Sequence, residues 1–300
     1  MTRGALPSPI LAIPARADIL ELSKPITWFP PMWAFGCGVL SSGIPVLDRW
    51  QFLIAGLLLA GPLVCGTSQV VNDWFDRHVD AINEPQRPIP SGRIPGRWGL
   101  ALAIIGTGLA LIVGLAAGLW VFAATIAGLV FAWLYSAPPL RLKADGRAGP
   151  AVVALCYEGL PWFTGAAVMA GALPDSQVLA VLLLYSAGAY GIMTLNDFKS
   201  ITGDRITGVR SLPAMLGPKR AGRIACVAMT IPQVVVVALL RNWGMPYAAL
   251  AVGLSLVIQL ILMRRLLTDP KRLAPWYNAT GTTLYVLGMA AAAAGLGNAS

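Results

Sequence analysis

Residues 98–138 read WGLALAIIGTGLALIVGLAAGLWVFAATIAGLVFAWLYSAP, and this stretch contains no Asp, Glu, Lys or Arg. A transmembrane helix needs about 20 mostly apolar residues, so the stretch is long enough to cross a bilayer twice. Gly118 lies near its middle, where a very short turn would join the two crossings. The stretch therefore predicts two adjacent transmembrane helices, at 98–118 and 120–138.

The rest of the chain has the same character. Of its 300 residues, 57% are hydrophobic and 12% are charged, against about 25% charged in a typical soluble domain; the mean hydropathy is +0.70. This composition argues against a soluble enzyme, a disordered chain and a disulfide scaffold. We expect one all-α polytopic membrane domain over 1–300, with about nine transmembrane helices. The predicted helices are 26–47, 51–74, 98–118, 120–138, 151–172, 177–197, 221–240, 246–266 and 276–296.

The first predicted helix differs from the others because prolines interrupt it. Pro25, Pro30 and Pro31 lie in its first half, and proline removes a backbone donor and kinks a helix. We therefore expect this helix to be bent or partly interfacial.

The basic residues are distributed unevenly between the two sides of this bundle. The net charge is +9, with 22 Lys and Arg. When nine helices alternate across the membrane, only Arg49 and Arg241 fall on one side and the other 20 fall opposite. The positive-inside rule then places the N-terminal segment 1–24 in the cytoplasm and the C-terminus in the periplasm. A nucleic-acid partner is disfavoured, because no basic soluble domain remains.

Two polar segments of similar pattern lie on this basic side. Residues 72–80 read NDWFDRHVD, and residues 196–205 read NDFKSITGDR. Shifted by 124 positions, the segments superimpose in the pairs Asn72/Asn196, Asp73/Asp197, Asp76/Ser200 and Asp80/Asp204. On a helix, positions i, i+1, i+4 and i+8 occupy an arc of about 100°, so a helix that continues past the bilayer edge would point all four groups one way. Gly203 weakens this expectation for the second segment, because glycine often ends a helix.

These residue types indicate a particular chemistry. Carboxylate and carboxamide oxygens suit Mg²⁺, which typically binds through one or two carboxylates together with substrate phosphates. Nearby basic residues suit the phosphates themselves, and an apolar bundle could hold a long hydrocarbon tail. The residues alone predict a membrane enzyme that handles a lipid diphosphate through Mg²⁺. The simpler alternative is a set of solvated loop charges and helix caps.

At these residues the chain resembles the UbiA superfamily of intramembrane prenyltransferases, a bundle of nine transmembrane helices. Asn72-x3-Asp76-x3-Asp80 matches the first signature motif. Asp197…Asp204 matches the second, although many members carry Asp where Ser200 stands, which weakens the expected second metal site. YSAPPLRLK at 135–143 is similar to the tyrosine-and-basic segment of the family. KPITWFPPMW at 24–33 and DAINEPQRPIPSG at 80–92 resemble the chlorophyll and bacteriochlorophyll synthase branch.

The resemblance implies a reaction and a location. The reaction is esterification of the 17-propionate of bacteriochlorophyllide a with a C20 group, geranylgeranyl or phytyl, from its diphosphate, with Mg²⁺ as cofactor. The location is the inner or intracytoplasmic photosynthetic membrane of a bacterium. The expected partners are the two substrates, the lipid bilayer, and pigment-biosynthesis or photosynthetic assembly proteins.

The resemblance also assigns roles to residues, each with a simpler alternative in helix capping, helix-end charge or membrane-surface anchoring. The expected catalytic residues are Asp76, Asp80, Asp197 and Asp204. The expected metal ligands are these four with Asn72, Asp73 and Asn196. The expected diphosphate-binding residues are Arg87, Arg93, Tyr135, Arg141, Lys143, Lys199 and Arg205.

Two further residues are weaker candidates for pigment binding. Glu158 lies within an apolar run, where an ionisable residue is a functional-site candidate by default; an internal structural hydrogen bond is the alternative. His78 is the single histidine and could be an axial ligand to the pigment magnesium, or else a solvated or packed side chain.

Other functions remain open at the level of sequence. A different UbiA-type enzyme would alkylate a quinone ring or a haem vinyl group, or esterify chlorophyllide. A secondary transporter with acidic ion sites is the alternative outside this class, but such sites usually lie near the bilayer midplane, whereas both acidic segments fall at predicted helix ends.

Overall fold

Helix follows helix along residues 13–299, the part of the chain that the computed structural model describes. Arg3 and the first half of the predicted N-terminal segment lie outside these residues. No β-strand occurs within them, and a single isolated parallel bridge joins Asp145 to Arg210. The α-helices are α1 (Arg16–Leu22), α2 (Phe29–Ser41), α3 (Trp50–Leu58), α4 (Gly66–Asn83), α5 (Trp98–Ala116), α6 (Leu119–Ser136), α7 (Ala148–Ala154), α8 (Leu160–Ala170), α9 (Ser176–Asn196), α10 (Ile201–Thr207), α11 (Leu212–Leu216), α12 (Pro218–Asn242), α13 (Pro246–Leu266) and α14 (Pro270–Gly297).

The all-α membrane fold is confirmed, and the second to ninth predicted helices each fall in a long apolar helical segment. Eight such segments within residues 13–299 are long and apolar enough to cross a membrane. They are Val46–Asn83, Trp98–Ala116, Leu119–Ser136, Ala148–Ala170, Ser176–Lys199, Pro218–Asn242, Pro246–Leu266 and Pro270–Gly297. The first and fourth of them contain short π-helical segments, Leu59–Cys65 and Leu155–Gly159.

The first predicted helix, at 26–47, is shorter than expected. Its helical part, α2, has 13 residues and so is about 20 Å long at 1.5 Å per residue, less than the hydrocarbon thickness of about 30 Å. Pro30 and Pro31 lie in its first turn, where proline is tolerated because the N–H has no helical partner. Gly43, at φ 66°, follows its end. The prolines therefore set where α2 begins and do not kink its middle.

Although short, α2 is a member of the bundle and packs closely on α8. A Cβ atom on Gly38 would lie 2.0 Å from the backbone oxygen of Trp162, and a Cβ on Gly165 would lie 2.1 Å from that of Phe35. Such distances are far inside van der Waals contact. Small residues at a membrane helix interface allow backbones to approach in this way. Glycine at both positions is therefore a requirement of the α2–α8 contact.

Apolar side chains cover both the inside and the outside of the bundle. The largest core group lies between α8, α9, α12, α13 and α14, around fully buried Trp162, Tyr185, Tyr277 and Tyr285. On α13, an outward row of apolar residues is exposed: Leu250, Leu254, Val257 and Ile261. A helix that is apolar on all faces belongs in a membrane or deep core, and this row is free to contact lipid.

The α2–α8 contact gives a stability prediction. Gly165→Val should lower the apparent melting temperature of the detergent-purified protein by several degrees, because overpacking a close contact costs about 1–3 kcal/mol. Gly36→Ala, also on α2 but with nothing within 4 Å of its added Cβ, should leave it equal or slightly higher. The measurement heats samples to a series of temperatures and determines, by size-exclusion chromatography, the fraction that remains monodisperse. The temperature at which half is lost gives the apparent melting temperature. Equal melting temperatures in both variants would contradict the packing argument.

Candidate functional site

Helix α4 carries the first acidic segment on one unbroken stretch of helix, as the sequence predicted. It runs from Gly66 to Asn83, so Asn72, Asp76 and Asp80, spaced by four residues, follow one side of it. The Asp76 carboxylate accepts hydrogen bonds from Arg141 Nη2 at 3.0 Å and from Lys143 Nζ. The Asp80 Oδ2 atom accepts one from Arg87 Nη1 at 2.9 Å. Both carboxylates are therefore neutralised by cations from other segments.

Asp73 occupies a different side of the same helix, so the expectation that all four polar groups point one way is wrong for this residue. Its side chain is 2% exposed, and its Oδ1 atom lies 2.6 Å from Lys24 Nζ and 3.4 Å from Arg87 Nη1. Its Oδ2 atom is buried and has no hydrogen-bond partner among residues 13–299. Asp73 borders neither of the two cavities described below.

The second acidic segment does not continue the helix before it, so that part of the sequence expectation is wrong. Helix α9 ends at Asn196, a 3-10 turn follows over Asp197–Lys199, and α10 begins at Ile201. Gly203 lies inside α10, and Gly208, at φ 75°, is the residue that follows its end. The repeated spacing of the two segments therefore corresponds to two different local structures.

Serine hydroxyls surround Asp204 in this second segment. Its Oδ2 atom accepts hydrogen bonds from Ser200 Oγ at 2.8 Å and from Ser211 Oγ at 2.6 Å. Ser200, which replaces the aspartate of many family members, thus contacts the last aspartate of the motif. The Asp197 carboxylate accepts no hydrogen bond from the described residues, although Asp204 and Lys199 lie close enough to influence its charge.

A basic loop after α6 lies between the two acidic segments. Arg141, at φ 39°, and Lys143 both point to Asp76. Burial lowers the pKa of the Lys143 ammonium, and its hydrogen bond to Asp76 partly offsets this. The loop is fastened to the chain just after α10, because Arg210 N donates to Ala144 O at 3.1 Å. At Gly146 a Cβ would lie only 2.0 Å from the Arg210 oxygen.

The two acidic segments and the basic loop, together with residues 208–211, enclose one polar cavity of about 620 Å³. Its polar and charged lining residues are Asp76, Asp80, Asn83, Tyr135, Arg141, Lys143, Asp145, Asn196, Asp197, Lys199, Ser200, Asp204 and Ser211. The structure thus brings the predicted catalytic aspartates from both acidic segments to one chamber with the predicted basic residues of the loop.

An apolar cavity of about 280 Å³ lies next to the polar one, and Tyr135 and Val153 border both. Both π-helical segments contribute to its wall; such segments are rare and occur often at functional sites. The hydroxyl groups of Thr164 and Ser68 donate to carbonyls of their own helices. Gln69 and Asn72 donate to Tyr157 Oη and Ser136 Oγ, so the wall is mostly apolar although it contains several polar residue types.

Several predicted residues do not border the polar cavity. Arg93 is held by Asp18 and Glu21 of α1, at 2.6 Å from each. Arg205 Nε reaches the carbonyl of Ala214 at 3.4 Å. Arg87 lies behind Asp80 and also pairs with Glu84.

The remaining predicted residues lie at other places. Asn72 borders the apolar cavity and donates to Ser136 Oγ at 3.1 Å. His78 is exposed on α4. Glu158 is 3% exposed, lies in the second π-helical segment and borders neither cavity.

Sequence reasoning missed residues that support these positions. Ser211 donates to Asp204, and the only local signal for it is that it directly follows Arg210. Asn278 donates to Asn196 Oδ1 at 2.8 Å, but it lies 82 residues away, and no local pattern indicates this contact.

The donor set fits a hard divalent cation. Among residues 13–299, no three His, Cys, Asp or Glu side chains form a ready metal-binding group, so the protein alone does not complete a coordination shell. The side chains of Asp76, Asp80, Asn196, Asp197 and Asp204 offer oxygen atoms around one chamber. This fits Mg²⁺, which keeps few protein ligands and takes others from substrate phosphates.

The fastening of the basic loop can be tested without any assay of activity. Gly146→Ala should separate the loop from residues 208–211, because its Cβ would meet the Arg210 oxygen. We expect limited trypsin digestion of the folded protein to cleave after Lys143 or Arg147 at least several times faster than in the wild type. Gly253→Ala on α13, with open space around its Cβ, serves as the control. Unchanged cleavage in Gly146→Ala would show that the loop is held by other contacts.

Comparison with known proteins places these features in a family. The profile of the UbiA prenyltransferase family matches residues 28–280. The chain is 57% identical to the bacteriochlorophyll synthase 33 kDa chain of Cereibacter sphaeroides, over 94% of this chain and 93% of the relative. It is 38% identical to the chloroplastic chlorophyll synthase of Oryza sativa, over 90% of this chain and 74% of the relative.

A solved structure gives the same result for the fold. The UbiA homologue from Archaeoglobus fulgidus bound to GPP and Mg²⁺ superimposes with a TM-score of 0.69 at 19% identity, over 91% of this chain and 99% of the other. At that identity the likeness concerns the fold alone. From the profile match and the close relatives, the chain belongs to the UbiA prenyltransferase family.

Proposed function

We propose that this chain esterifies the 17-propionate of a bacteriochlorophyllide with a C20 prenyl group, geranylgeranyl or phytyl, taken from its diphosphate. The observation that carries the proposal is the chamber where both acidic segments and the basic loop meet, beside an apolar cavity that shares Tyr135 with it. The 57% identity to a bacteriochlorophyll synthase over 94% of the chain supports the pigment as acceptor.

The polar chamber is suited to the diphosphate end of the donor. Its acidic and amide oxygens, from Asp76, Asp80, Asn196, Asp197 and Asp204, would hold Mg²⁺. When bound, Mg²⁺ withdraws charge from the diphosphate and so helps the allylic C–O bond to break. Arg141, Lys143 and Lys199 line the same chamber, and their N–H groups would bind phosphate oxygens as charge-assisted donors.

The reaction requires little proton transfer from the protein. The propionate oxygen forms a bond to the first carbon of the prenyl group, and the bond from that carbon to the diphosphate oxygen breaks, with the electron pair leaving on diphosphate. A propionate is ionised near neutral pH, so no strong general base is needed. No histidine lines the chamber among the described residues, which accords with this chemistry.

The apolar cavity is suited to the prenyl tail. It follows α6 from Tyr135 to Ala124, about 16 Å at 1.5 Å per residue. An extended chain advances about 1.2 Å per bond, so a geranylgeranyl main chain is about 18 Å long, with its first carbons in the polar chamber. A cavity without water would also protect the reacting allylic carbon from hydrolysis.

The same features support an orientation in the membrane. The loop residues Arg141 and Lys143 contact Asp76 in the C-terminal half of α4, so the chamber lies on the face that carries most basic residues. Arg49 is one of the two basic residues predicted on the opposite face. It donates to the carbonyls of Val168 and Met169 at the last turn of α8. With the positive-inside rule, we infer a cytoplasmic chamber and N-terminus and a periplasmic C-terminus in the bacterial inner membrane.

The alternatives are distinguished by their acceptors. Quinone-type and haem-type enzymes would form a carbon–carbon bond, and a chlorophyll synthase would prefer chlorophyllide. A secondary transporter would transfer no prenyl group, and its ion sites usually lie near the bilayer midplane; here Asp80 lies in the last turn of α4 and Asp197 directly after α9.

Purified protein with bacteriochlorophyllide a, geranylgeranyl diphosphate and Mg²⁺ should yield a hydrophobic pigment ester, detected by reversed-phase chromatography. Asp76→Ala and Asp80→Ala should each lower turnover by at least about a hundredfold, since loss of charge-stabilising groups in such sites has effects of this order. Glu21→Gln, which removes a carboxylate on α1 away from the chamber, is the control. No ester from folded wild-type protein would refute the pigment assignment, and near-normal turnover in both aspartate variants would refute the site.

The length of the cavity gives a specificity prediction. Gly128 lines it seven residues from Tyr135, about 10 Å along α6, and a Cβ there would face Val64 and Leu160 at 3.4 and 3.8 Å. Gly128→Leu should shorten the cavity, so that the ratio of kcat/KM for geranyl over geranylgeranyl diphosphate rises at least tenfold. Gly108→Leu on α5, where a Cβ meets open space, should leave this ratio unchanged. An unaltered ratio in Gly128→Leu would mean that the tail lies elsewhere.

A further inference from the structure

Arg87 is shared between a carboxylate that faces the polar chamber and one that does not. Its Nη1 atom lies 2.9 Å from Asp80 Oδ2 and 3.4 Å from Asp73 Oδ1, while its Nε atom pairs with Glu84. The Arg87 side chain is 25% exposed and does not border the chamber. Asp80 does border the chamber. Arg87 therefore binds the Asp80 carboxylate from outside the chamber.

One carboxylate oxygen of Asp73, Oδ2, is buried and accepts no hydrogen bond from the described residues. The Asp73 side chain is 2% exposed, and its Oδ1 atom accepts from Lys24 at 2.6 Å and from Arg87 at 3.4 Å. A buried charged acceptor without a partner is costly. A guanidinium carries five N–H donors in a planar fork that matches the two oxygens of a carboxylate. Asp73 is therefore an incompletely used acceptor beside an arginine that could satisfy it.

The segment before α2 keeps Asp73 in this position. Lys24 has a left-handed backbone at φ 48°, which is uncommon for a residue other than glycine, and its ammonium lies 2.6 Å from Asp73 Oδ1. Asp73 lies on the side of α4 away from the chamber, and the ion pair holds its carboxylate there. A residue so held is unsuited to ligate a metal there, which departs from the role that the sequence motif suggested.

We propose that Asp73 is a positioning residue, which accepts Arg87 when Asp80 turns to a divalent cation in the chamber. The proposal rests on the proposed function and adds a step to it. Asp80 cannot remain the close partner of Arg87 and also give its oxygen to a cation. Arg87 Nη1 already makes a long hydrogen bond of 3.4 Å to Asp73 Oδ1, about half an ångström longer than the usual distance, so a small movement of Arg87 that shortens this bond completes the exchange. Glu84 stays paired with Arg87 both before and after the exchange.

The exchange predicts opposite effects for the two partners. Arg87→Met leaves Asp80 without a competing cation, so Mn²⁺ alone should bind about tenfold more tightly, the order expected for one neighbouring charge in a partly exposed site. Asp73→Asn removes the second acceptor, so Arg87 stays on Asp80 and the Mg²⁺ concentration at half-maximal activity should rise about tenfold. In the double variant Asp73→Asn/Arg87→Met, that concentration should return toward the wild-type value.

The test uses full-length protein in lipid nanodiscs. Binding of Mn²⁺ alone is measured from the loss of its free electron paramagnetic resonance signal, without pigment or prenyl substrate, so it can fail independently of the esterification assay. Glu21→Gln, another carboxylate paired with an arginine on the same face, is the matched control and should change neither quantity. If Asp73 were a metal ligand, the double variant would keep the high Mg²⁺ requirement. That result, or unchanged or weaker Mn²⁺ binding in Arg87→Met, would overturn the proposal.

Discussion

The site depends on neutralising carboxylates that lie at the end of an apolar bundle. The Asp76 side chain is 18% exposed and Asp73 only 2%, and a carboxylate removed from water to this extent is costly unless cations or hydrogen-bond donors surround it. The cations come from distant parts of the chain: Lys24 from before α2, and Arg141 and Lys143 from after α6. Charge neutralisation therefore fixes the relative position of segments that share no helix.

The bundle makes this arrangement possible by rigid helices and close contacts. Helix α4 extends without interruption to Asn83, so Asp76 and Asp80 are held at fixed heights along one side of it. Glycines at 38 and 165 let α2 approach α8 at backbone distance, and the short 3-10 turn Pro25–Thr27 joins Lys24 to the start of α2. The loop after α6 is held at Gly146 and Ala144 by residue 210. Thus each charged group stands on an element whose own position is determined by packing.

Sequence was sufficient for features that depend on local pattern. The apolar runs predicted the long helices within a few residues, because the bilayer imposes the same length on each of them. The spacing of Asn72, Asp76 and Asp80 predicted a common side of α4, because that helix continues. Contacts between distant segments were not predictable in this way. Arg93 pairs with Asp18 and Glu21 of α1. Nothing in the sequence around Arg93 indicates whether its partner is a carboxylate of the protein or a phosphate of the substrate.

The two acidic segments share a spacing but differ in how they are neutralised. On α4, Asp76 and Asp80 are paired with cations. After α9 the helix breaks, Asp204 is held by serine hydroxyls, and the Asp197 carboxylate receives no hydrogen bond from the described residues. An approaching divalent cation must compete with bound arginine and lysine on α4, whereas no cation among residues 13–299 forms an ion pair with Asp197. An anionic substrate removes this competition, because its phosphates attract the same cations that hold Asp76. The geometry therefore favours joint binding of cation and diphosphate over binding of either alone.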